Sequence, residues 1–241
     1  MRTGTDAGSQ IAPYNAGVMN ISYLVQPILD VPSGDVMHYE VLSRPSDLAG
    51  ADSLESFFES MSAAQQFEII HDQLIHFAPS HLPVSVNVSG RLLHDPQMCF
   101  RLIELLGDLS MPVMLELTEG HPLPTPDVVN PYFRQLRKVG CVLALDDFGT
   151  GHSANIDTIH HYDFDVIKID RSLSNQWQDP TRSPSLALLA QVIQMLGKTA
   201  VAEGIETHEQ MQGLAKLGYP QQQGYYHGRP CPLNEALHAV G

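Results

Sequence analysis

Residues 143–152 read LALDDFGTGH. An apolar run that fits a buried strand ends in two adjacent aspartates, Asp146 and Asp147, and then enters a turn with two glycines. Neighbouring strand residues point to opposite faces of a sheet, so the two carboxylates need either separate receptors or a break in the strand. A hydrophobic run closed by a polar residue recurs along the chain, and that recurrence decides the fold.

Working outward, strand-like runs stand at 84–89 (VSVNVS), 113–118 (VMLELT), 141–147 (CVLALDD), 166–170 (VIKID), 199–205 (TAVAEGI) and 222–226 (QQGYY). Upstream, YLVQPIL (23–29) and VMHYEVL (36–42) are joined by a short Pro/Gly link, which predicts a hairpin and an antiparallel pair. Helical spacing fills the intervals: 54–77, then about 97–107, 127–138, 153–161, 184–197, 207–217 and 232–239. Eight strands with mostly helical crossovers predict an α/β fold, a closed (β/α)8 TIM-like barrel with an antiparallel first strand. Residues 1–20 are expected to be a flexible N-terminal tail, and 21–241 a single domain.

Size and composition agree. A chain of 241 residues, 43% hydrophobic, suffices for one such barrel. Thirteen Lys+Arg against 27 Asp+Glu give a net charge of −14, which disfavours polymeric nucleic acid and anionic membranes as partners. A small anionic ligand remains compatible where cations mediate the contact. Cys99, Cys141 and Cys231 form no CxxC pair and read as reduced thiols. No apolar leader or 18-residue apolar run occurs, so a cytoplasmic location is expected, and the sequons at Asn20 and Asn87 are chance matches.

Polar side chains unsuited to buried strands cluster at the strand ends: Glu40, Asn87, Glu116, Glu119, Asp146, Asp147, Lys168, Glu203 and Gln223. In a barrel these ends converge on one rim. Taken singly, Glu40 reads as a rim charge and Asn87 as a strand-end hydrogen-bonding residue. Lys168 with Asp170 reads as a salt-bridged edge, and Gln223 before Gly224 as turn chemistry. One pocket explains them together. Five carboxylates (Glu40, Glu116, Asp146, Asp147, Glu203) exceed what Lys168 can balance, whereas hard divalent cations with oxygen ligands, Asn87 included, can. Two such cations about 4 Å apart clamp a phosphoryl group. The glycine-permitted turn is expected to let Asp146 bridge both ions and Asp147 reach the second. Asp163 and Asp165 precede a strand and are assigned to the opposite rim. The scattered histidines lack ligand spacing, and GTG at 149–151 is a turn.

The segments YLVQPILD, YEVLSR, SVNVSG, LELTEG, LALDDFGTGHS, VIKIDRSL, VAEGIET and QGYYHGRP, between Tyr23 and Pro232, resemble in order the EAL-domain family of cyclic di-GMP phosphodiesterases. The resemblance implies metal-dependent hydrolysis of cyclic di-GMP to linear pGpG, lowering a bacterial second messenger. It implies a first metal on Glu40, Asn87, Glu116 and Asp146, and a second on Asp146, Asp147 and Glu203. Mg²⁺ or Mn²⁺ would serve, and Ca²⁺ would inhibit. By the same resemblance Lys168 orients and helps deprotonate the attacking water, and Gln223 supports it. Gln26 and Arg44 contact guanine and phosphate, and Glu119 holds the loop after Asp147. It also implies a homodimer through that loop and the helix after it. The alternatives are a non-catalytic cyclic di-GMP receptor or protein-binding EAL module, and a two-metal hydrolase of another phosphodiester.

Departures from the family pattern are Val41 for Ala, expected beside the ligand, and a replaced wall at 45–56. Others are His152 and Asn155 for Tyr and Leu, and His227-Gly228 for Phe-Ser. No GGDEF motif occurs, so regulation is expected to come from partners, expression or oligomerisation.

Overall fold

The antiparallel hairpin forms between β1 (Ile21–Asp30) and β2 (Val36–Pro45), in a register that sets Gln26 opposite Glu40. Its link is closed by Gly34, in the left-handed region at φ +76°, whose N–H donates to the Asp30 carbonyl. The computed structural model describes residues 20–118, 121–150 and 155–239. The proposed tail, Glu119 and His152 therefore lie outside the described residues, apart from Asn20.

Six parallel strands follow: β3 (Val84–Ser89), β4 (Val113–Thr118), β5 (Val142–Phe148), β6 (Val166–Ile169), β7 (Thr199–Ala202) and β8 (Gln221–Gln223). They close into a barrel in chain order, with β1 antiparallel to both β2 and β8. This is the predicted (β/α)8 barrel with its inverted first strand. Helices including Ala63–Phe77, Pro96–Gly107, Pro126–Lys138, Ser183–Met195 and His208–Lys216 occupy the crossovers.

Among the boundaries that differ from expectation, two have a clear local reason. The helix expected over 54–77 is two helices, Leu54–Glu59 and Ala63–Phe77, because Ser53 with Ser56 and Ser62 with Gln65 each form a capping box. The strand expected over 222–226 stops at Gln223. A side chain at Gly224 would sit 2.2 Å from the Ile205 backbone, so that position turns instead of pairing.

The strands bury both faces, which places the chemistry. Outward-facing residues such as Val86, Leu115, Leu143, Leu145 and Ile167 join the helices in the main core. Inside the barrel a separate apolar cluster of Ile28, Met114, Ala144, Val166 and Val201 forms a floor. A strand returns to the same face every second residue. Two residues beyond each floor position, counting backward on the inverted β1, stand Gln26, Glu116, Asp146, Lys168 and Glu203. One polar layer therefore rests on one apolar layer. Val41 has the opposite parity to Glu40 and is buried in the outer core, so the expectation that it lies beside the ligand is corrected. Asp163 and Asp165 pair with Arg134 and Arg137 on the far rim, as their position before β6 predicted.

Candidate active site

Lys168, 1% exposed, is the centre of the polar layer. Its Nζ lies 2.6 Å from Glu116 Oε2, 2.8 Å from Asp146 Oδ1, 2.8 Å from Glu203 Oε1 and 3.9 Å from Glu40 Oε2. Glu40 is held by the side-chain amides of two other strands: Asn87 Nδ2 donates to Oε1 at 3.0 Å, and Gln223 Nε2 donates to Oε2. Seven sequence-predicted residues are thus joined through direct contacts. Gln26 instead donates through Nε2 to the Gly228 carbonyl at 3.0 Å. Arg44, four residues beyond Glu40 on β2, donates to the Ser43 carbonyl. The same strand parity puts Arg44 roughly 13 Å further toward the mouth.

The adjacent aspartates are reconciled by strand geometry. The pairing of β5 with β6 shifts register between Leu145 and Phe148, and Asp147 itself adopts φ +55°. Such a bulge re-aims a side chain, and Asp tolerates the left-handed region better than most residues. As a result Asp146, Asp147 and Glu203 each offer a carboxylate oxygen, all within 4.8 Å of one another. Release of the backbone by the following glycines was expected. The break in fact occurs one step earlier, inside a strand that continues to Phe148.

Electrostatics show what the layer lacks. Burial raises the Glu116 carboxyl to about 8 against the pull of Lys168, and burial with Asp146 beside it raises Asp147 to about 6. Burial also drives Glu203 well above the ordinary carboxylate range. Burial alone would lower the Lys168 ammonium, but Asp146, Glu116, Glu203 and Glu40 outweigh it and hold it well above its usual value. One cation is too little for five carboxylates. The buried oxygens Glu116 Oε1 and Gln223 Oε1 have no hydrogen-bond partner among the described residues. An all-oxygen donor set with surplus negative charge and unpartnered oxygens fits hard divalent cations.

A pH-dependent stability follows. Carboxyls with raised values bind protons more tightly when folded, so metal-free stability falls as pH rises, from 4.5 to about 8 for Glu116 and from 3.8 to about 6 for Asp147. The raised Lys168 contributes stability fully present below 10.5, so it is constant across that window. A divalent cation bound at these carboxylates would replace those protons, so added Mg²⁺ or Mn²⁺ is expected to raise Tm more at pH 8 than at pH 5. Each 1 kcal/mol corresponds to about 2–4 °C in a chain of this size. Equal shifts at both pH values in a thermal melt would contradict cation binding at these carboxylates.

Two features went unnoticed in the sequence. The short helix Arg171–Ser174 directly follows β6, capped by Asp170, whose carboxylate accepts from Ser172 N–H at 2.8 Å. The pattern Asp170-x-Ser172 was the available signal. Asn155, seen only as a departure, caps the helix Ile156–His161 by accepting from Thr158 N–H at 2.9 Å.

Comparison with known proteins follows the same residues. A family model described as "EAL domain" matches residues 18–230. The chain is 32% identical over 226 residues to "Probable cyclic di-GMP phosphodiesterase PdeN" of Escherichia coli K12, covering 87% of this chain and 43% of that protein. It is 30% identical over 229 residues to "Cyclic di-GMP phosphodiesterase PdeL" of the same organism, covering 88% and 63%. The chain thus spans about half the length of these relatives. Among solved structures, a manganese/cy-diGMP complex of Klebsiella pneumoniae BlrP1 superposes with a TM-score of 0.73 at 25% identity, covering 91% of this chain and 58% of that one. Since the family match takes in both the hairpin bearing Glu40 and the last strand bearing Gln223, the chain belongs to the EAL domain family.

Proposed function

We propose that this chain is a phosphodiesterase that hydrolyses cyclic di-GMP to linear pGpG with two divalent cations, Mg²⁺ or Mn²⁺, in the cytoplasm. Supporting this most directly is the single layer in which Glu40, Glu116, Asp146 and Glu203 converge on Lys168, with Asp147 beside them. In this reading Glu40, Asn87, Glu116 and Asp146 hold one cation, and Asp146, Asp147 and Glu203 the other. The cations supply charge neutralisation and an activated water at neutral pH.

The chain's own groups do the rest. Lys168, an ammonium among carboxylates, orients the attacking water by donating from Nζ. With those carboxylates neutralised, Lys168 would hold its proton less tightly. The unpartnered Oε1 of Gln223 accepts from the same water. Gln26, in the polar layer, and Arg44, nearer the mouth, take the guanine and a phosphate. The reading includes a homodimer through the helix Ile156–His161, where Ile156 is 58% exposed.

Chromatography of products from cyclic di-GMP with Mg²⁺, Mn²⁺ or Ca²⁺, run beside light scattering, tests this. Linear pGpG is expected with the first two and bound but uncleaved substrate with Ca²⁺, which coordinates loosely. Binding without cleavage in every metal would make the protein a receptor. A monomer with full activity at every concentration would remove the dimer.

A further inference from the structure

The helix Arg171–Ser174 lies between the two backbone turns that follow Asp147 and Glu203. Gly149, two residues after Asp147, has φ +116°, and a Cβ there would lie 2.3 Å from Leu173 Cδ1 and 2.7 Å from Leu173 Cγ. Gly204, next to Glu203, has φ +71°, and its Cβ would lie 2.4 Å from Arg171 Cβ. The glycines let the helix seat against bare backbone on both sides.

Arg171 and Ser172 face solvent, while the ends of the helix are tied to the barrel. Asp170 N–H donates to the Phe148 carbonyl at 3.1 Å, and Glu203 N–H to the Ile169 carbonyl at 3.0 Å. Ser174 Oγ donates to the Ile169 carbonyl at 3.3 Å. Buried Gln210 donates through Nε2 to Asn175 Oδ1 at 3.0 Å and to the Gly204 carbonyl at 3.3 Å. Trp177, the chain's only tryptophan, packs where a side chain at Gly213 would sit, 2.1 Å from its ring.

We propose that Arg171–Ser174 is a wedge that holds Asp147 and Glu203 in the geometry of a cation site, with Leu173 as its principal positioning residue. This rests on the two-cation reading above. A non-glycine residue at φ +55° persists only where its surroundings over-determine it. For Asp147 those surroundings are Leu173 against Gly149 and the bond from Asp170 to Phe148. Cation–oxygen distances tolerate only about 0.2 Å, so a loosened wedge is read out as lost affinity at the second cation. Leu173 touches no ligand atom in this account; it acts through the backbone of β5.

The test is titration of Mn²⁺ into the full chain, followed by calorimetry and by the electron paramagnetic resonance of free Mn²⁺. Leu173→Ala is expected to weaken one of two sites about tenfold or more, in the range of outer-sphere changes, and to leave the other unchanged. Its kcat should recover as Mn²⁺ is raised, with KM for cyclic di-GMP unmoved, and Leu173→Met should restore affinity. Leu173 is only partly buried against the core; should the alanine variant fail to fold by circular dichroism, Leu173→Val is judged by the same criteria. Unchanged affinity at both sites in a folded variant, or equal weakening of both, overturns the proposal. Asp147→Asn separates the two readings. If it loses a site while Leu173→Ala does not, the wedge alone falls; if it loses none, the two-cation reading falls and takes the wedge with it.

Discussion

Lys168→Met is expected to lower kcat about 10²- to 10⁴-fold with KM moved only a few-fold. The side chain is proposed to act on a water whose charge develops toward the transition state, so its loss removes differential rather than uniform binding. The same change should also strongly destabilise the metal-free protein. It leaves Glu116, fully buried, together with Asp146 and Glu203 and without the ammonium that lies within 2.8 Å of each. Removing one partner of a buried ion pair costs about 3–5 kcal/mol, hence roughly 6–20 °C in Tm for a chain of this size. Saturating Mg²⁺ should return much of that loss without returning turnover. A large rise in KM at unchanged kcat would reassign Lys168 to phosphate binding.

Glu40→Ala is expected to abolish hydrolysis while moving metal-free Tm by no more than a few degrees. As a proposed direct ligand, Glu40 should matter more than the outer-sphere partners whose loss costs about 10- to 100-fold. Its stability effect is a near cancellation. The substitution leaves Asn87 Nδ2 and Gln223 Nε2 without their acceptor, a penalty of about 1–3 kcal/mol if water does not replace it. It also removes one negative charge from beside Glu116, whose carboxyl burial first, and then Glu40 and Asp146, raise to about 8. Lys168→Met and Glu40→Ala should therefore both stop catalysis yet separate on a thermal melt. Normal turnover of Glu40→Ala at matched metal concentration would sink the assignment.

Much of this was legible in residue order. Period-2 strands separated by helical spacing predicted the barrel, and the Pro/Gly link between residues 29 and 36 predicted its inverted first strand. The polar strand ends predicted Glu40, Asn87, Glu116, Asp146, Lys168, Glu203 and Gln223 as one cluster, because parallel strands of a closed barrel deliver corresponding positions to one rim. Strand parity could also have turned Val41 away from the pocket; the resemblance to a familiar motif led the other way.

Local sequence by itself therefore determined the elements, their order and the identity of the polar layer, since these depend on periodicity and on which residues a strand can bury. Three things were decided only by tertiary structure. The bulge at Asp146–Asp147 depends on a register shift against β6, a strand some 20 residues distant. The raised carboxyl of Glu116 depends on its burial and on the facing charges that three other strands bring to it. The seat of Leu173 on Gly149 depends on two loops meeting above the barrel. Each is a contact between segments far apart in the chain, and the energy of such a contact exists only once the barrel has closed.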